Sequence, residues 1–470
     1  MVFIRSFVLV LLLILFAFPA GATPDSLARV TETWKGDLSQ LLKEHRPIRV
    51  LTSYNRTNFF LVKGAMRGLE YDLMQAYKKH LEKTHKQDHV RMVFVTVPFD
   101  DLIPALLEGR GDVVAAGLTA TTPRKQHVGF STPYRTGIEE IIVGSKRAAP
   151  ILRVEDLAGK KIHVMAGSSY GAHLRTINQT LNRRGMMPIK IVEADPNLVT
   201  EDLLEMAERG IIHYAVTDLH IAEIWKTALP RLQIFTQVPI HSGGDIAWAV
   251  RPGNKAFQKS LSQFAATVRQ GTLMGNMVFK RYFVNTDWVK DPHAHQNRKR
   301  LEQLRKIFEK YAKLYDFDWI KLAALAFQES RFNMNTKSSV GALGVMQIRP
   351  ATALDPNVNV KDYMTLDGNI HAGTKYLRFL RDNYFQDVDL EARVDFALAA
   401  YNAGPARIIG LRKVAKKMGL DPNRWFGNVE WAAYKDIGFE TPTYVANVQM
   451  YYAAYKSIAE VLGKRNEVME

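Results

Sequence analysis

Glu329 is the residue of this chain whose surroundings best suit acid–base chemistry. The stretch from Trp319 to Phe327 is apolar apart from Lys321, which predicts a helix buried on nearly all sides. Apolar residues precede Glu329 by three, four and seven positions, so they share its helical face. Partial removal from water favours the protonated carboxyl and raises its pKa, which suits a general acid near neutral pH. Periodicity alone leaves a second reading open, a structural ion pair with Arg331 or a nearby lysine.

Four further motifs follow Glu329 in a fixed order and complete a set of five. The set is Gln328-Glu329-Ser330-Arg331-Phe332, Gly341-Ala342-Leu343-Gly344-Val345-Met346-Gln347, Asn369-Ile370 with Gly373 and Tyr376-Leu377, Ala399-Ala400-Tyr401-Asn402-Ala403-Gly404, and Glu440-Thr441-Pro442-Thr443-Tyr444-Val445. This set resembles the soluble-type lytic murein transglycosylases, which have a lysozyme-like fold. Only Val345 departs from the family pattern, where leucine is usual.

The resemblance implies cleavage of peptidoglycan glycan strands between N-acetylmuramic acid and N-acetylglucosamine, with 1,6-anhydromuramyl ends as products. Glu329 would be the catalytic residue. Seven residues would bind the substrate: Ser330, Met346, Gln347, Tyr401, Asn402, Glu440 and Tyr444. Ser330 would orient Glu329 or contact a sugar, and Met346 with Gln347 would line the cleft. Tyr401 and Asn402 would flank the carboxyl, and Glu440 and Tyr444 would form the far wall. Core packing (for Met346 and Tyr401) and backbone capping (for Asn402) are the structural alternatives.

Residues 47–283 alternate short apolar runs with amphipathic helices, a pattern that predicts α/β layers with a largely parallel sheet. Ordered motifs in this region resemble the family-3 extracellular solute-binding proteins, which have two α/β lobes and a ligand cleft between them. The matching stretches are Gly68 to Leu73, Leu102 to Leu106, Gly117 to Arg124, Phe130 to Tyr134, Asp156 to Lys160 and Gly271 to Phe283.

This second resemblance implies a cleft formed by six residues: Gly117, Thr119, Arg124, Ser168, Ser169 and Asp218. Arg124 would grip a ligand carboxylate, because a guanidinium offers two parallel donors to it. Asp218 would hold a ligand amino group, and the remaining four would supply backbone or hydroxyl donors. A surface ion pair for Arg124 and a helix cap for Asp218 are the structural alternatives. His213 stands where many relatives carry an acidic residue, which leaves the ligand class open.

The ends and joints of the chain complete the expected organisation. Residues 1–22 have a basic start, a short apolar core and a small-x-small ending, which predict a cleavable signal peptide. Residues 284–300 are polar and contain a proline, as a linker would be. Helical periodicity dominates residues 301–470. The expected fold class is therefore multidomain, with a two-lobed α/β periplasmic-binding-protein-like module followed by an all-α lysozyme-like domain.

Composition limits the location and the partners. The chain has no cysteine, so it has no disulfide and no lipid on a cysteine. Residues 1–300 hold 40 basic and 27 acidic side chains, an excess that attracts phospholipid headgroups or acidic wall polymers unless it is only a solvated surface. We expect a periplasmic protein, with possible peripheral contact with the outer membrane, and no nucleic acid as partner. No metal or cofactor is implied, because histidines lack paired ligand spacing.

The order of the two modules resembles the membrane-bound lytic murein transglycosylase F group. That resemblance implies a lyase whose N-terminal module binds an amino acid or a muropeptide and regulates cleavage. Two alternatives stay open. One is a muramidase that hydrolyses the same bond with Glu440 or Asp395 as its second acid, and the other is a solute receptor with a vestigial catalytic domain.

Overall fold

The computed structural model describes residues 26–62, 64–86, 90–284 and 294–469. The predicted signal peptide, residues 1–22, lies outside these ranges, as do residues 285–293 of the predicted linker. Within the described ranges, no helix combines the length and the apolar character that crossing a bilayer requires.

The chain first builds most of one α/β lobe. Its elements are α1 (Ser26–Thr31), α2 (Leu38–Lys43), β1 (Ile48–Thr52), β2 (Phe60–Val62), β3 (Ala65–Arg67), α3 (Leu69–His85), β4 (Met92–Thr96), α4 (Leu102–Glu108), β5 (Val113–Val114), α5 (Thr122–Lys125) and β6 (Gly129–Phe130). Leu73, Tyr77 and Leu81 recur every four residues of α3 and are completely buried. This spacing gives the helix one apolar face, which packs on the sheet.

The second lobe follows without a break. Its elements are β7 (Arg135–Gly144), β8 (Lys161–Val164), α6 (Tyr170–Arg183), β9 (Lys190–Glu193), α7 (Thr200–Glu208), β10 (Tyr214–Asp218), α8 (Leu219–Lys226), β11 (Gln233–Phe235) and β12 (His241–Ile246). The strand order is β11-β7-β10-β8-β9, and β12 pairs with β7. The chain then returns to the first lobe through β13 (Ala249–Val250), α9 (Lys255–Val268) and α10 (Leu273–Phe279).

The sheets of the two lobes are largely parallel, as predicted, and each contains one strand, β13 or β7, that runs against all the others. In the first lobe, with order β4-β1-β5-β13-β6, β1 runs parallel to β4 and β5, but β13 is antiparallel to β5 and β6. In the second lobe, β8 is parallel to β9 and β10, but β7 is antiparallel to its three partners. The cause is the double crossing between lobes, where Arg135 and Ile246 pair in opposite directions.

The C-terminal part is helical. Its helices are α11 (Ala294–Tyr315), α12 (Trp319–Ser330), α13 (Pro350–Leu354), α14 (Leu366–Tyr384), α15 (Leu390–Ala403), α16 (Pro405–Lys417), α17 (Glu430–Ile437) and α18 (Glu440–Met469). Helix α11 begins at Ala294, so residues 294–300 of the predicted linker are helical. Lysine, arginine and glutamine are good helix formers, so polarity alone did not distinguish a linker from a helix.

Helix α18 belongs to both modules. Its first half packs in the core of the helical domain, whereas Ala454 and Ile458 of its second half are buried in the core of the first lobe. The Ser457 hydroxyl accepts a hydrogen bond from the backbone N–H of Thr96 at the edge strand β4 (3.2 Å). Arg465 forms an ion pair with Asp202 of the second lobe. The helical domain is therefore docked on the N-terminal module along one continuous helix.

A glycine permits the closest approach of the two modules. Gly64 has a φ of 82° and accepts a hydrogen bond from the Tyr455 hydroxyl at its carbonyl oxygen (2.7 Å). A Cβ at this position would lie 2.6 Å from the ring of Phe332. Both the backbone conformation and the lack of space therefore favour glycine here.

Candidate active site

Glu329 lies in the last turn of helix α12. The helix begins after Asp318, whose carboxylate accepts a hydrogen bond from the backbone N–H of Ile320 (2.8 Å), and it ends where Arg331 adopts a left-handed conformation. Residues 321–327 are all buried, as the apolar pattern predicted. Glu329 itself is partly buried, and it is the first acidic residue after this apolar stretch. The sequence of α12 thus brings a carboxyl group to the edge of the core.

The Glu329 carboxylate accepts a hydrogen bond from the Tyr444 hydroxyl of α18. Burial raises the pKa of Glu329 to about 7, and the Tyr444 bond opposes that rise because it favours the charged form. Burial also raises the pKa of Tyr444 well above its ordinary value, so the phenol keeps its proton and remains a donor. A carboxyl with a pKa near 7 is populated in both protonation states at neutral pH, as a group that donates and then accepts a proton requires.

The loop after α12 is held by buried hydrogen bonds. The Ser330 hydroxyl donates to the carbonyl of Val345 (2.8 Å), and the Asn369 side chain accepts from the backbone N–H of Met346 (2.8 Å). The Met346 side chain is completely buried in the domain core. The expectation for Met346 therefore needs correction, because its side chain packs in the core and does not line the cleft. Ser330 fixes the loop through Val345, and its contact with a sugar stays a prediction.

Gln347 belongs to this loop, and Tyr401 of helix α15 bonds to it. Gln347 is partly exposed, has a φ of 48°, and donates from its amide to the carbonyls of Thr336 (3.0 Å) and Gly344 (2.8 Å). The Tyr401 hydroxyl donates to the carbonyl of Met346 (2.7 Å). Burial raises the pKa of the Tyr401 phenol well above its ordinary value, and the nearby Glu329 carboxyl raises it further. The structure thus brings Tyr401 close to the carboxyl, and Gln347 borders the same loop.

Helix α18 contributes a second contact to this region. The Thr441 hydroxyl donates to the side-chain oxygen of Asn402 (2.7 Å), which joins the end of α15 to the start of α18. The Asn402 side chain therefore bonds to another side chain, which the backbone-capping alternative does not describe. Glu440 is exposed at the first residue of α18 and precedes Tyr444 by four positions, so the two share a helical face.

Asp395 is not available as a second acid. It is almost completely buried and accepts a hydrogen bond from the Gln449 amide, whose oxygen accepts from the Lys321 ammonium (2.5 Å). Lys321 also lies over the Tyr452 ring, 4.0 Å from its centre. This network satisfies a buried cation and a buried carboxylate inside the domain. The apolar pattern around Lys321 gave no sign of it.

The six predicted cleft residues all border one cavity between the two lobes. Gly117, Thr119 and Arg124 belong to the first lobe, and the two serines and Asp218 to the second. The cavity lies near the point where the chain crosses between lobes, since Arg135 and Ile246 also line it. The motifs thus predicted a common location, while the individual bonds differ from the expectation.

Several predicted donors of the cleft already have protein partners. Arg124 donates to the carbonyls of Thr119 and Gly167, both at 2.7 Å, so it joins the two lobes. The Gly117 N–H donates to the buried carboxylate of Glu70 (2.7 Å). The Ser168 hydroxyl donates to the carbonyl of Met165, and the Ser169 hydroxyl donates to the carboxylate of Glu140, both at 2.6 Å. The surface ion pair expected as an alternative for Arg124 is wrong, because the guanidinium is bonded to the carbonyls of Thr119 and Gly167. Burial lowers the pKa of Arg124 to about 10.

Asp218 is buried and accepts a hydrogen bond from the Tyr170 hydroxyl (3.1 Å). Burial and the nearby Glu140 raise its pKa to about 7. It stands at the start of α8 but its side chain makes no capping hydrogen bond. The helix-cap alternative therefore does not describe this residue.

Three acidic groups around the cleft were missed. Glu140 accepts from the His173 ring (2.7 Å), and the His173 ring stacks on His241 at 4.0 Å. Glu201 accepts from the Thr57 hydroxyl of the opposite lobe (2.7 Å). Glu70 also accepts from Tyr134 and Trp248. These partners are far apart in sequence, so no local spacing could reveal them.

The described ranges contain no group of three or more histidine or acidic side chains arranged to hold a metal ion.

Comparison with known proteins assigns both modules. Residues 48–284 match the family model of bacterial extracellular solute-binding proteins, family 3, and residues 306–423 match that of the transglycosylase SLT domain. An ancestral arginine-binding protein bound to arginine is 27% identical, with 50% of this chain and 98% of that one covered at a TM-score of 0.43.

Two relatives align with most of this chain, across both modules. A membrane-bound lytic murein transglycosylase F from Desulfosudis oleivorans is 31% identical over 471 residues, which covers 96% of this chain and 98% of that protein. One of the same name from Pseudomonas fluorescens is 28% identical and covers 87% and 85%. The similarity extends over nearly the whole of both sequences in the first case, and this chain belongs to the membrane-bound lytic murein transglycosylase F family.

Proposed function

We propose that the helical domain cleaves murein glycan strands by lytic transglycosylation, with Glu329 as its acid and base. The observation that carries this proposal is the partly buried Glu329 carboxyl, with a pKa of about 7 and a hydrogen bond from Tyr444. Burial keeps a share of the carboxyl protonated at neutral pH, and Tyr444 stabilises the carboxylate that forms when the proton leaves.

The reaction needs one carboxyl in two roles. Protonated Glu329 donates its proton to the oxygen between N-acetylmuramic acid and N-acetylglucosamine, and the bond from that oxygen to muramyl C1 breaks. The substrate's own acetamido group stabilises the charge at C1. The muramyl C6 hydroxyl then attacks C1 and gives its proton to the Glu329 carboxylate. The products are a 1,6-anhydromuramyl end and a free N-acetylglucosamine end, with no water consumed.

The competing reaction is hydrolysis by a muramidase. Glycoside hydrolases usually place two carboxyl groups on either side of the bond, and one of them activates water or forms the covalent intermediate. Asp395 is buried in the Lys321–Gln449 network and does not serve this purpose. Glu440 remains as the candidate, because it is exposed and shares a helical face with Tyr444.

The experiment compares two isosteric variants. Glu329→Gln should reduce release of soluble muropeptides from purified peptidoglycan by roughly 100-fold or more, the size expected for loss of a general acid. Glu460→Gln, at an exposed position further along α18, is the matched control and should retain the activity. Glu440→Gln should keep the anhydromuramyl product under the lyase mechanism. Full activity of Glu329→Gln would refute the proposal, and it would equally be expected of a receptor with a vestigial domain.

For the N-terminal module we propose a small ligand with a carboxylate and an amino group, an amino acid or a muropeptide, bound between the lobes. Arg124 would turn from the Gly167 carbonyl to the ligand carboxylate, since a charged acceptor makes a stronger bond with a guanidinium. Asp218 would ionise as it meets the amino group, because a nearby cation lowers a raised carboxyl pKa. Titration calorimetry with amino acids and purified muropeptides tests this, and Arg124→Met should abolish the heat of binding.

We further propose that this ligand regulates cleavage. Helix α18 supports the idea, because it carries Tyr444 at one end and the ion pair of Arg465 with Asp202 at the other. A movement of the second lobe would thus act on the helix that contacts Glu329. Equal turnover with and without saturating ligand would refute regulation.

The location we propose is the periplasm, after export by the signal peptide, with peripheral contact of the protein with the inner face of the outer membrane. The basic excess of residues 1–300 supports attraction to anionic headgroups. Fractionation of cells in low and high salt tests this, because high salt should release a peripherally bound protein.

A further inference from the structure

A row of four rings crosses the surface from the start of α18 to the N-terminal module. Phe439 packs against Tyr434 with 5.3 Å between ring centres, Tyr434 against Trp431 at 5.4 Å, and Trp431 against His45 at 4.7 Å. We call these four residues the aromatic row. The first three belong to the helical domain, and His45 follows helix α2 of the first lobe.

The rings of the row are accessible to solvent. Phe439 is 50% exposed, His45 is exposed, and Trp431 and Tyr434 are partly exposed. The latter two are three positions apart on helix α17, whereas Ala432 and Ala433 between them are buried. The helix therefore turns its small residues to the core and its large aromatic residues outward, the reverse of what packing alone favours. Contiguous exposed apolar side chains often mark a binding surface.

One end of the row meets the candidate active site. Phe439 directly precedes Glu440, and the next residue, Thr441, donates its hydrogen bond to Asn402. One helical turn further, Tyr444 donates to Glu329. The row therefore ends at the helix that contacts the Glu329 carboxyl.

At the other end of the row, partial burial of the ring and the neighbouring Arg91 lower the pKa of His45, which favours its neutral form. A neutral, flat ring presents an apolar face and polar edges, as do the tyrosine and tryptophan rings beside it. The whole row therefore suits a ligand that combines apolar faces with a hydroxyl-rich rim.

We propose that the aromatic row binds the pyranose rings of the glycan strand beyond the cleavage site and guides the strand toward the N-terminal module. Each pyranose has an apolar C–H face and polar edges, which match those of an aromatic ring. Neighbouring ring centres lie 4.7–5.4 Å apart and their planes differ by 41–64°, so the row offers ring faces and ring edges in turn along its length. This inference rests on the proposed function, because it takes the glycan strand as the substrate.

The test measures binding without turnover. Full-length protein with Glu329→Gln is titrated with long peptide-free glycan strands and, separately, with a single disaccharide unit. Adding Tyr434→Ala or Phe439→Ala should weaken the affinity for long strands roughly three- to tenfold, the size expected for loss of one aromatic contact. Affinity for the disaccharide should not change. Thermal unfolding verifies that each variant is folded.

Two further variants separate ring stacking from surface apolarity. Tyr434→Phe keeps the ring and should retain the affinity for long strands. Leu314→Ala removes a similarly exposed side chain from helix α11 (60% exposed) and should have no effect. Unchanged long-strand affinity in both alanine variants would overturn the inference. An equal loss of affinity for the long strands and for the disaccharide would also overturn it, because the rings would then contact the sugars next to Glu329.

Failure of this inference leaves the proposed function intact, since product analysis of the unmodified protein tests that function without reference to the row. Conversely, absence of anhydromuramyl products would refute the lyase mechanism while the strand-binding measurement still stands.

Discussion

Tyr444, which lies 115 positions after Glu329 in the chain, donates a hydrogen bond to the Glu329 carboxylate from helix α18. The same helix, α18, continues into the core of the first lobe. The bond therefore joins the proposed acid to the element that docks the two modules. It also sets two opposing influences on one carboxyl, because burial raises the pKa of Glu329 and the tyrosine lowers it.

The pH dependence of cleavage should follow the protonation of Glu329. Because the carboxyl has a pKa of about 7 and must be protonated to start the reaction, kcat/KM should be high below pH 7 and fall tenfold per unit well above it. Initial rates on purified peptidoglycan between pH 5 and pH 9 test this. A rate that stays constant through pH 8 would contradict the assignment.

Tyr444→Phe should move this alkaline limb to higher pH. The variant removes the hydrogen bond that favours the carboxylate, so the pKa of Glu329 rises. The turnover number should also fall roughly tenfold or more, since a hydrogen bond to a charged group contributes about 1.5–3 kcal/mol. Tyr401→Phe is the control, because its hydroxyl bonds to the Met346 carbonyl and not to Glu329. A limb that shifts equally in both variants would argue against the specific role of Tyr444.

Stability should reveal the ionisation of Glu329 independently of activity. Its folded-state pKa of about 7 exceeds the ordinary 4.5, so the wild-type fold carries no cost below pH 4.5 and loses stability as the pH rises toward 7. Glu329→Gln removes that cost and should gain up to roughly 3 kcal/mol relative to wild type between pH 4.5 and pH 8. Urea unfolding at both pH values measures the difference. An equal difference at both would show that the carboxyl is not perturbed.

The docking of the two modules depends on Gly64. Gly64→Ala would place a Cβ 2.6 Å from the Phe332 ring and strain a φ of 82°. Gly185→Ala is the matched control, because its φ is 67° but no atom lies within 4 Å of the added Cβ. We expect the first variant to destabilise the protein by about 1–3 kcal/mol more than the second. Calorimetric unfolding measures the loss of stability in each variant, and equal losses would contradict this expectation.

The buried polar network of the helical domain supports its fold and not its chemistry. Asp395→Asn should destabilise the protein by roughly 1–3 kcal/mol, because it leaves the Lys321 ammonium without the charge it balances through Gln449. The folded fraction should retain its cleavage rate and its product. A product that changes from anhydromuramyl to reducing ends would show instead that Asp395 takes part in the reaction.

The sequence pattern predicted those features that depend on residues close together in the chain. The apolar run before Glu329 predicted a buried helix with a desolvated carboxyl at its end, and burial of residues 321–327 agrees. Motif order likewise predicted that six dispersed residues would border one cavity. The first expectation came from spacing along the chain, and the second from the resemblance to the family-3 solute-binding proteins.

Long-range partners were outside the reach of such patterns. The bond from Thr57 to Glu201 joins residues 144 positions apart, and Arg465 meets Asp202 across 263. The same applies to Met346, because its residue type suits a cleft wall as well as a core, and only the packing against Gly373 decides for the core. Residues 294–300 show the converse, since polar helix formers look like a linker when no apolar face marks the helix.

The most direct test of the lyase mechanism is a mass spectrum of the products that the unmodified protein releases from intact peptidoglycan. If Glu329 alone passes the proton out and back, the muramyl ends carry a 1,6-anhydro ring and are lighter by one water than hydrolysed ends. Reducing muramyl ends would contradict the account and require a second carboxyl that activates water.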